Sequence, residues 1–132
     1  MPRLKAFIRS PQQRHKLLRF TTVGRKKPIT RHAAVIIEAK YLELLRRGYE
    51  VTVGRTGDKE IDFVCDKRGE KLYVQVCYLL ASDETVNREF GAYDSIRDNF
   101  PKYVVSLDEF DMSRNGIKHR NIRDFLLAEE WN

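Results

Sequence analysis

A single α/β domain of the α+β kind, a central mixed sheet flanked by helices, is predicted by three features of this sequence. Ala34, Ile37, Tyr41, Leu44 and Leu45 recur with the helical period. Three strand-length segments follow in succession between residues 49 and 80, parted by short turns rich in Gly, Asp and Lys. A second amphipathic stretch then leads into a fourth strand. The 132 residues give length for one domain with a sizeable core.

The elements can be justified in order. Thr30 is placed to cap the first helix, which runs to Arg46-Arg47-Gly48. There two cations meet the negative end of the helix dipole and a glycine suits the left-handed cap. Tyr49–Arg55 reads as a strand, Thr56-Gly57-Asp58 as a turn and Glu60–Cys65 as a second strand. Lys67-Arg68-Gly69 makes the next turn. Leu72–Leu80 is a long and mostly apolar third strand, the pattern of one buried on both faces. After Ser82 a second helix is expected from Glu84 to Asp98, with Val86, Phe90, Tyr93 and Arg97 on one stripe. Pro101 marks its exit and Tyr103–Leu107 is the fourth strand. Ile117–His119 forms a last short strand, and Asn121 caps a last helix carrying Ile122, Phe125 and Leu126.

Charge divides the chain unevenly. Residues 1–31 hold ten cations and no carboxylate, whereas 32–132 hold fifteen cations and nineteen carboxylates. The net charge of +6 thus belongs to a basic N-terminal arm set before an acidic-leaning domain at 32–132. Arg25, Lys26 and Lys27 in that arm, with Arg46 and Arg47 at the end of the first helix, are the candidate phosphate contacts, since clustered cations gain affinity by releasing counterions. No apolar run approaches the roughly 18 residues that span a bilayer, so no membrane partner is expected. The charged start lacks a secretory pattern and two cysteines make no disulfide framework, so the cytoplasm is the expected compartment. Gly54-Arg55-Thr56-Gly57-Asp58-Lys59 has the wrong spacing for a phosphate loop. ATP binding is not expected.

Six segments carry a family resemblance. They are residues 41–49 (YLELLRRGY), 59–64 (KEIDFV), 74–78 (VQVCY), 88–91 (REFG), 101–104 (PKYV), and 116–119 with 122–127 (GIKH, IRDFLL). In this order, over residues 38–127, the chain resembles the uncharacterised C-terminal domain of prokaryotic AAA-type ATPases, with a restriction-endonuclease-like PD-(D/E)XK core. The resemblance implies a core of helix, three strands, helix and strand, plus a C-terminal short strand and helix. It does not reach residues 1–31.

Nuclease chemistry in such a core needs a Glu on the first helix, an Asp on the second strand, and a carboxylate followed by a Lys on the third, gathered around Mg²⁺. By resemblance Asp62 occupies the strand Asp. Gln75 stands where the third-strand carboxylate belongs and Cys77 where the Lys belongs. The helix Glu falls at Ile37, an apolar-stripe position, and Glu38 is one residue late, about 100° around the helix. Glu60 could supply a second carboxylate beside Asp62, the two sharing a strand face, and Lys40 could replace the missing Lys; the simpler readings are a strand-edge charge and a solvated helix face. Cys77 has no base placed beside it by the sequence, and its simpler reading is a buried strand thiol. Cys65 shares strand parity with Ile61 and Phe63, so the two sulfurs should face different layers and form no disulfide.

A non-catalytic, nuclease-like binding or accessory domain is therefore expected, without a cofactor, contacting nucleic acid through the arm or a partner protein. The alternatives are a phosphodiesterase dependent on Mg²⁺ or Mn²⁺ with a displaced site at Asp62 and Glu60, and a protein-interaction domain of an ATPase fragment. The sequence sets no oligomeric state.

Overall fold

The computed structural model describes residues 31–56 and 59–131. The arm residues 1–30, with the proposed cap Thr30 and the cations Arg25, Lys26 and Lys27, lie outside the described residues, as do Gly57 and Asp58 of the first turn.

Helix α1 (Arg31–Arg46) ends as its sequence requires. Gly48 takes φ +90°, the Gly48 N–H donates to the Leu45 carbonyl and the Tyr49 N–H to the Leu44 carbonyl, both at 3.0 Å. This pair of bonds is a Schellman closure, which satisfies carbonyls the helix itself leaves open. Strand β1 (Glu50–Thr56) pairs antiparallel with β2 (Lys59–Lys67), which pairs antiparallel with β3 (Glu70–Val76). Arg68 and Gly69, at φ +53° and +81°, are the two central residues of the β2–β3 hairpin, the backbone of a type I′ turn. Helix α2 (Asp83–Gly91) crosses to β4 (Lys102–Ser106), which lies parallel to β3. Strand β5 (Lys118–Asn121) lies parallel to β4, and α3 (Ile122–Leu127) closes the order.

The result is a mixed α+β fold with a five-stranded sheet in the order β1-β2-β3-β4-β5 and three helices among the described residues. Alternation along β3 and β4 sends Val74, Val76, Tyr103 and Val105 into a cluster with α1, Phe125 and Trp131. The intervening Tyr73 and Val104 join Val86, Phe90 and Tyr93 in a second cluster under α2. The central strands are thus buried on both faces.

Two elements are shorter than the sequence suggests. The third strand stops at Val76 instead of Leu80, because Tyr78 and Leu79 turn half outward and the Leu80 N–H leaves the sheet to bond the Asp108 carboxylate at 2.7 Å. Helix α2 is capped by Ser82, whose hydroxyl accepts from the Thr85 N–H, but ends at Gly91 rather than Asp98. The Gly91 carbonyl accepts from the Lys59 ammonium at 2.9 Å, and from Tyr93 to Ile96 the backbone turns through i→i−3 bonds. Asn121 caps α3 as expected, accepting from the Arg123 N–H.

Candidate functional site

Strands β1 and β2 lose register where the site residues lie. Thr52 pairs with Val64 and Gly54 with Ile61, so Val53 alone opposes both Asp62 and Phe63. This is a β-bulge, and it re-aims the side chains on either side of it. Ile61 enters the α2 cluster, while Phe63 and Cys65 enter the α1 cluster. The expected common parity of Ile61, Phe63 and Cys65 therefore fails, because one extra residue reverses the alternation. Gly54 makes the bulge sterically feasible: a Cβ there would lie 2.4 Å from Val64 Cγ2.

Beyond the pair Phe63 and Val74, side chains continue the β2–β3 seam. The Asp62 N–H donates to Gln75 Oε1 at 2.6 Å, and the Val76 N–H donates to Asp62 Oδ2 at 2.8 Å. Each of the two residues thus satisfies backbone of the opposite strand. The Gln75 amide NH₂ completes the arrangement, donating to Glu89 Oε2 at 3.3 Å and to the Glu60 carbonyl at 3.4 Å. Asp62, Gln75 and Glu89 are all buried. Tyr93 packs nearby with its hydroxyl donating to the Tyr103 carbonyl at 2.7 Å. Its acidity is suppressed first by burial, then by the neighbouring Asp62, Cys65 and Glu89 side chains.

The other candidates disperse. The Glu60 carboxylate lies 3.7 Å from Arg55. Glu38 is partly buried, and burial raises its pKa. Ile37 is buried in the α1 cluster, as its stripe position implies. Cys77 Sγ donates to the Leu79 carbonyl at 3.1 Å, and burial pushes its pKa up to about 12, the opposite of an activated thiol. Cys77 packs against the α2 cluster and Cys65 lies in the other; both are free thiols. Lys40 does not lie on a solvated face: it is 0% exposed, its Nζ 4.0 Å from the centroid of the Phe125 ring. Burial holds this amine well below the usual lysine range, against the opposing pull of Asp62 and Cys65. Arg46 is exposed and pairs with Glu43 at 2.6 Å. Arg47, in contrast, is committed inward: it bonds Glu43, the Leu126 carbonyl and the Glu129 carbonyl, and stacks 3.8 Å over the Trp131 ring.

A hard divalent cation does not fit this donor set. One oxygen of Asp62 is spent on the Val76 N–H, the Gln75 oxygen on the Asp62 N–H, and the Gln75 NH₂ stands toward Glu89 where a ligand oxygen would be needed. Among the described residues no three His, Cys, Asp or Glu side chains come together to hold a metal. Nor is any helix among them long and apolar enough to cross a membrane.

Glu89 is the member that sequence reading passes over. Its signal is a carboxylate three residues after Val86 and four before Tyr93, on the apolar face of α2.

No family model matches the chain. A relative from Haemophilus influenzae, described as an uncharacterized protein, is 36% identical over 88 residues, which make up 66% of this chain and 21% of the relative. The chain thus spans about a fifth of the length of the curated relative it matches. No solved structure matches.

Proposed function

We propose that this chain is a non-catalytic binding or accessory module with a restriction-endonuclease-like core, related to the C-terminal region of AAA-type ATPases and acting in the cytoplasm. The observation that carries this reading is the reciprocal lock between Asp62 and Gln75. The Asp that resemblance assigns to a metal holds the β3 backbone instead, and the residue in place of the second carboxylate holds the β2 backbone. A site committed to its own scaffold cannot reorganise around a phosphodiester without breaking the seam that forms it.

Binding through nucleic acid is the form of the proposal that charge favours, and it rests on the arm. The described domain offers little of its own: Arg46 is matched by Glu43, Arg47 is spent on α3, and Lys71 pairs with Asp66 at 2.8 Å. Fluorescence anisotropy with labelled duplex DNA tests this on the full chain and on residues 32–132. The full chain is expected to bind with an affinity that falls steeply with salt, and the shortened chain to lose it. Absence of binding by the full chain at low salt would end the nucleic-acid form and leave a protein partner.

One observation favours the competing reading, a divalent-metal phosphodiesterase with a displaced site. Glu89 supplies a second buried carboxylate within 3.3 Å of Gln75.

A further inference from the structure

A second buried polar cluster lies at the C-terminal end of β4, two residues beyond the Val104 that pairs with Gln75. His119 on β5 and Ser106 on β4 are almost wholly buried, and His119 Nε2 lies 2.8 Å from Ser106 Oγ. The Ser106 hydroxyl donates to Asp108 Oδ2 at 2.7 Å, and that same oxygen accepts from the Leu80 N–H. On the other side of the ring, the Met112 N–H donates to His119 Nδ1 at 3.2 Å. Ser, His and Asp are the residue types of a hydrolytic triad, but the proton order here is reversed. Nδ1 must carry a lone pair to accept from Met112, so the proton sits on Nε2 and points at Ser106, whose own proton goes to Asp108. Ser106 is neither activated nor accessible, and the cluster is no nucleophile.

What the cluster does hold is the connection from β4 to β5. The His119 backbone N–H donates to Ser113 Oγ at 2.8 Å, Ser113 donates to Asp111, and Arg114 bridges to Ile117. Both edges of the imidazole are therefore used to pin residues 106–113. Phe110 in this segment is 83% exposed, and Met112 packs against the α2 cluster.

We propose that residues 107–117 form a proton-gated segment, closed while neutral His119 accepts from the Met112 N–H and released when the ring gains a proton on Nδ1. Protonation sets donor against donor at that bond, and the Phe110 carbonyl, which faces the ring, is the acceptor the new N–H can take instead. Taking that acceptor forfeits the Met112 bond, and on this proposal the loss of that bond frees Met112 from the core. Burial opposes the charged ring most strongly, Arg120 adds to that opposition, and Asp108, Asp111 and the Phe110 carbonyl favour it. The net effect lowers the His119 pKa. The closed form is therefore fully held above the unfolded value near 6.5, and the hold is lost as pH falls through the lower folded value.

The test is NMR on the ¹⁵N-labelled full chain between pH 8 and pH 5. The proposal expects the Nε2–H tautomer at pH 7.5. It further expects the Met112 and Ser113 amides to lose protection by up to about tenfold per pH unit as pH falls below about 6.5, levelling off once the folded His119 is protonated, while Val74 and Val104 stay protected. The variant His119→Gln, which offers a non-titrating acceptor, should keep the segment closed at every pH. An Nδ1–H tautomer, a His119 titration that leaves Met112 protection unchanged, or the same pH response in His119→Gln would each overturn the proposal. Should that variant fail to fold, the wild-type tautomer and amides decide.

Discussion

Replacing Lys40 by Met removes a wholly buried amine whose Nζ has no hydrogen-bond partner among the described residues. A buried polar group left unsatisfied costs about 1–3 kcal/mol, and Met keeps the length and apolar contacts of the lysine stem. The ring of Phe125 beneath Nζ favours the charged form, but burial outweighs both that contact and Asp62, since the amine is held well below its usual range. Lys40→Met should therefore raise stability at pH 7 by about 1–3 kcal/mol. The pH dependence has a fixed sign. Between the folded and unfolded pKa of Lys40 the unfolded chain binds more protons, so wild-type stability rises with pH there, by up to about 1.4 kcal/mol per unit, and is complete only above the unfolded value near 10.4. The advantage of Lys40→Met should accordingly shrink from pH 7 to pH 9. Urea unfolding of both proteins at pH 7, 8 and 9 measures this, and taking their difference cancels the Cys77 thiol, on which Lys40 does not act. A variant less stable than wild type by more than about 1 kcal/mol, with a difference constant across pH, would mean that the ammonium is charged and satisfied where it lies.

Three further outcomes follow from the seam and its supports. Gly54→Ala should cost about 1–3 kcal/mol in urea unfolding, because its Cβ would meet Val64 at 2.4 Å and Ile61 at 3.2 Å inside the bulge. Gln75→Ala leaves the buried Asp62 N–H without its 2.6 Å acceptor and should cost a similar amount, about 1–3 kcal/mol, read by thermal unfolding. Arg47→Ala should loosen the C-terminal end of α3 at a cost of about 1–2 kcal/mol. Its direct readout is a red shift in the emission of Trp131, the single tryptophan of the chain, which loses its stacked guanidinium.

Much of the fold was legible because its boundaries are written in local chemistry. Gly48 after two arginines, the Arg68-Gly69 turn and Asn121 before Ile122 each announce a backbone state that their residue types favour. The end of α2 was not legible, since the apolar stripe continues to Ile96 while the helix yields at Gly91 to a bond from Lys59, 32 positions earlier in the chain but adjacent in space. At the site, the nearness of Asp62 and Gln75 was implied by the family resemblance. Their mutual commitment was not, because a bulge adds one residue without altering composition or periodicity. Lys40 was misplaced on solvent although it lies three residues after Ile37 and four before Leu44, on the stripe itself. A charged residue type outweighed its position in that reading, and the position was the better guide.

The proposal is that the residues which resemblance assigns to a nuclease site are part of the scaffold instead. Plasmid cleavage with Mg²⁺ or Mn²⁺, by wild type beside Asp62→Asn, tests it most directly, since the Asn carbonyl can still accept from the Val76 N–H and keep the seam intact. The account predicts no turnover by either protein with either metal. Metal-dependent cleavage by the wild type that disappears in Asp62→Asn would contradict it.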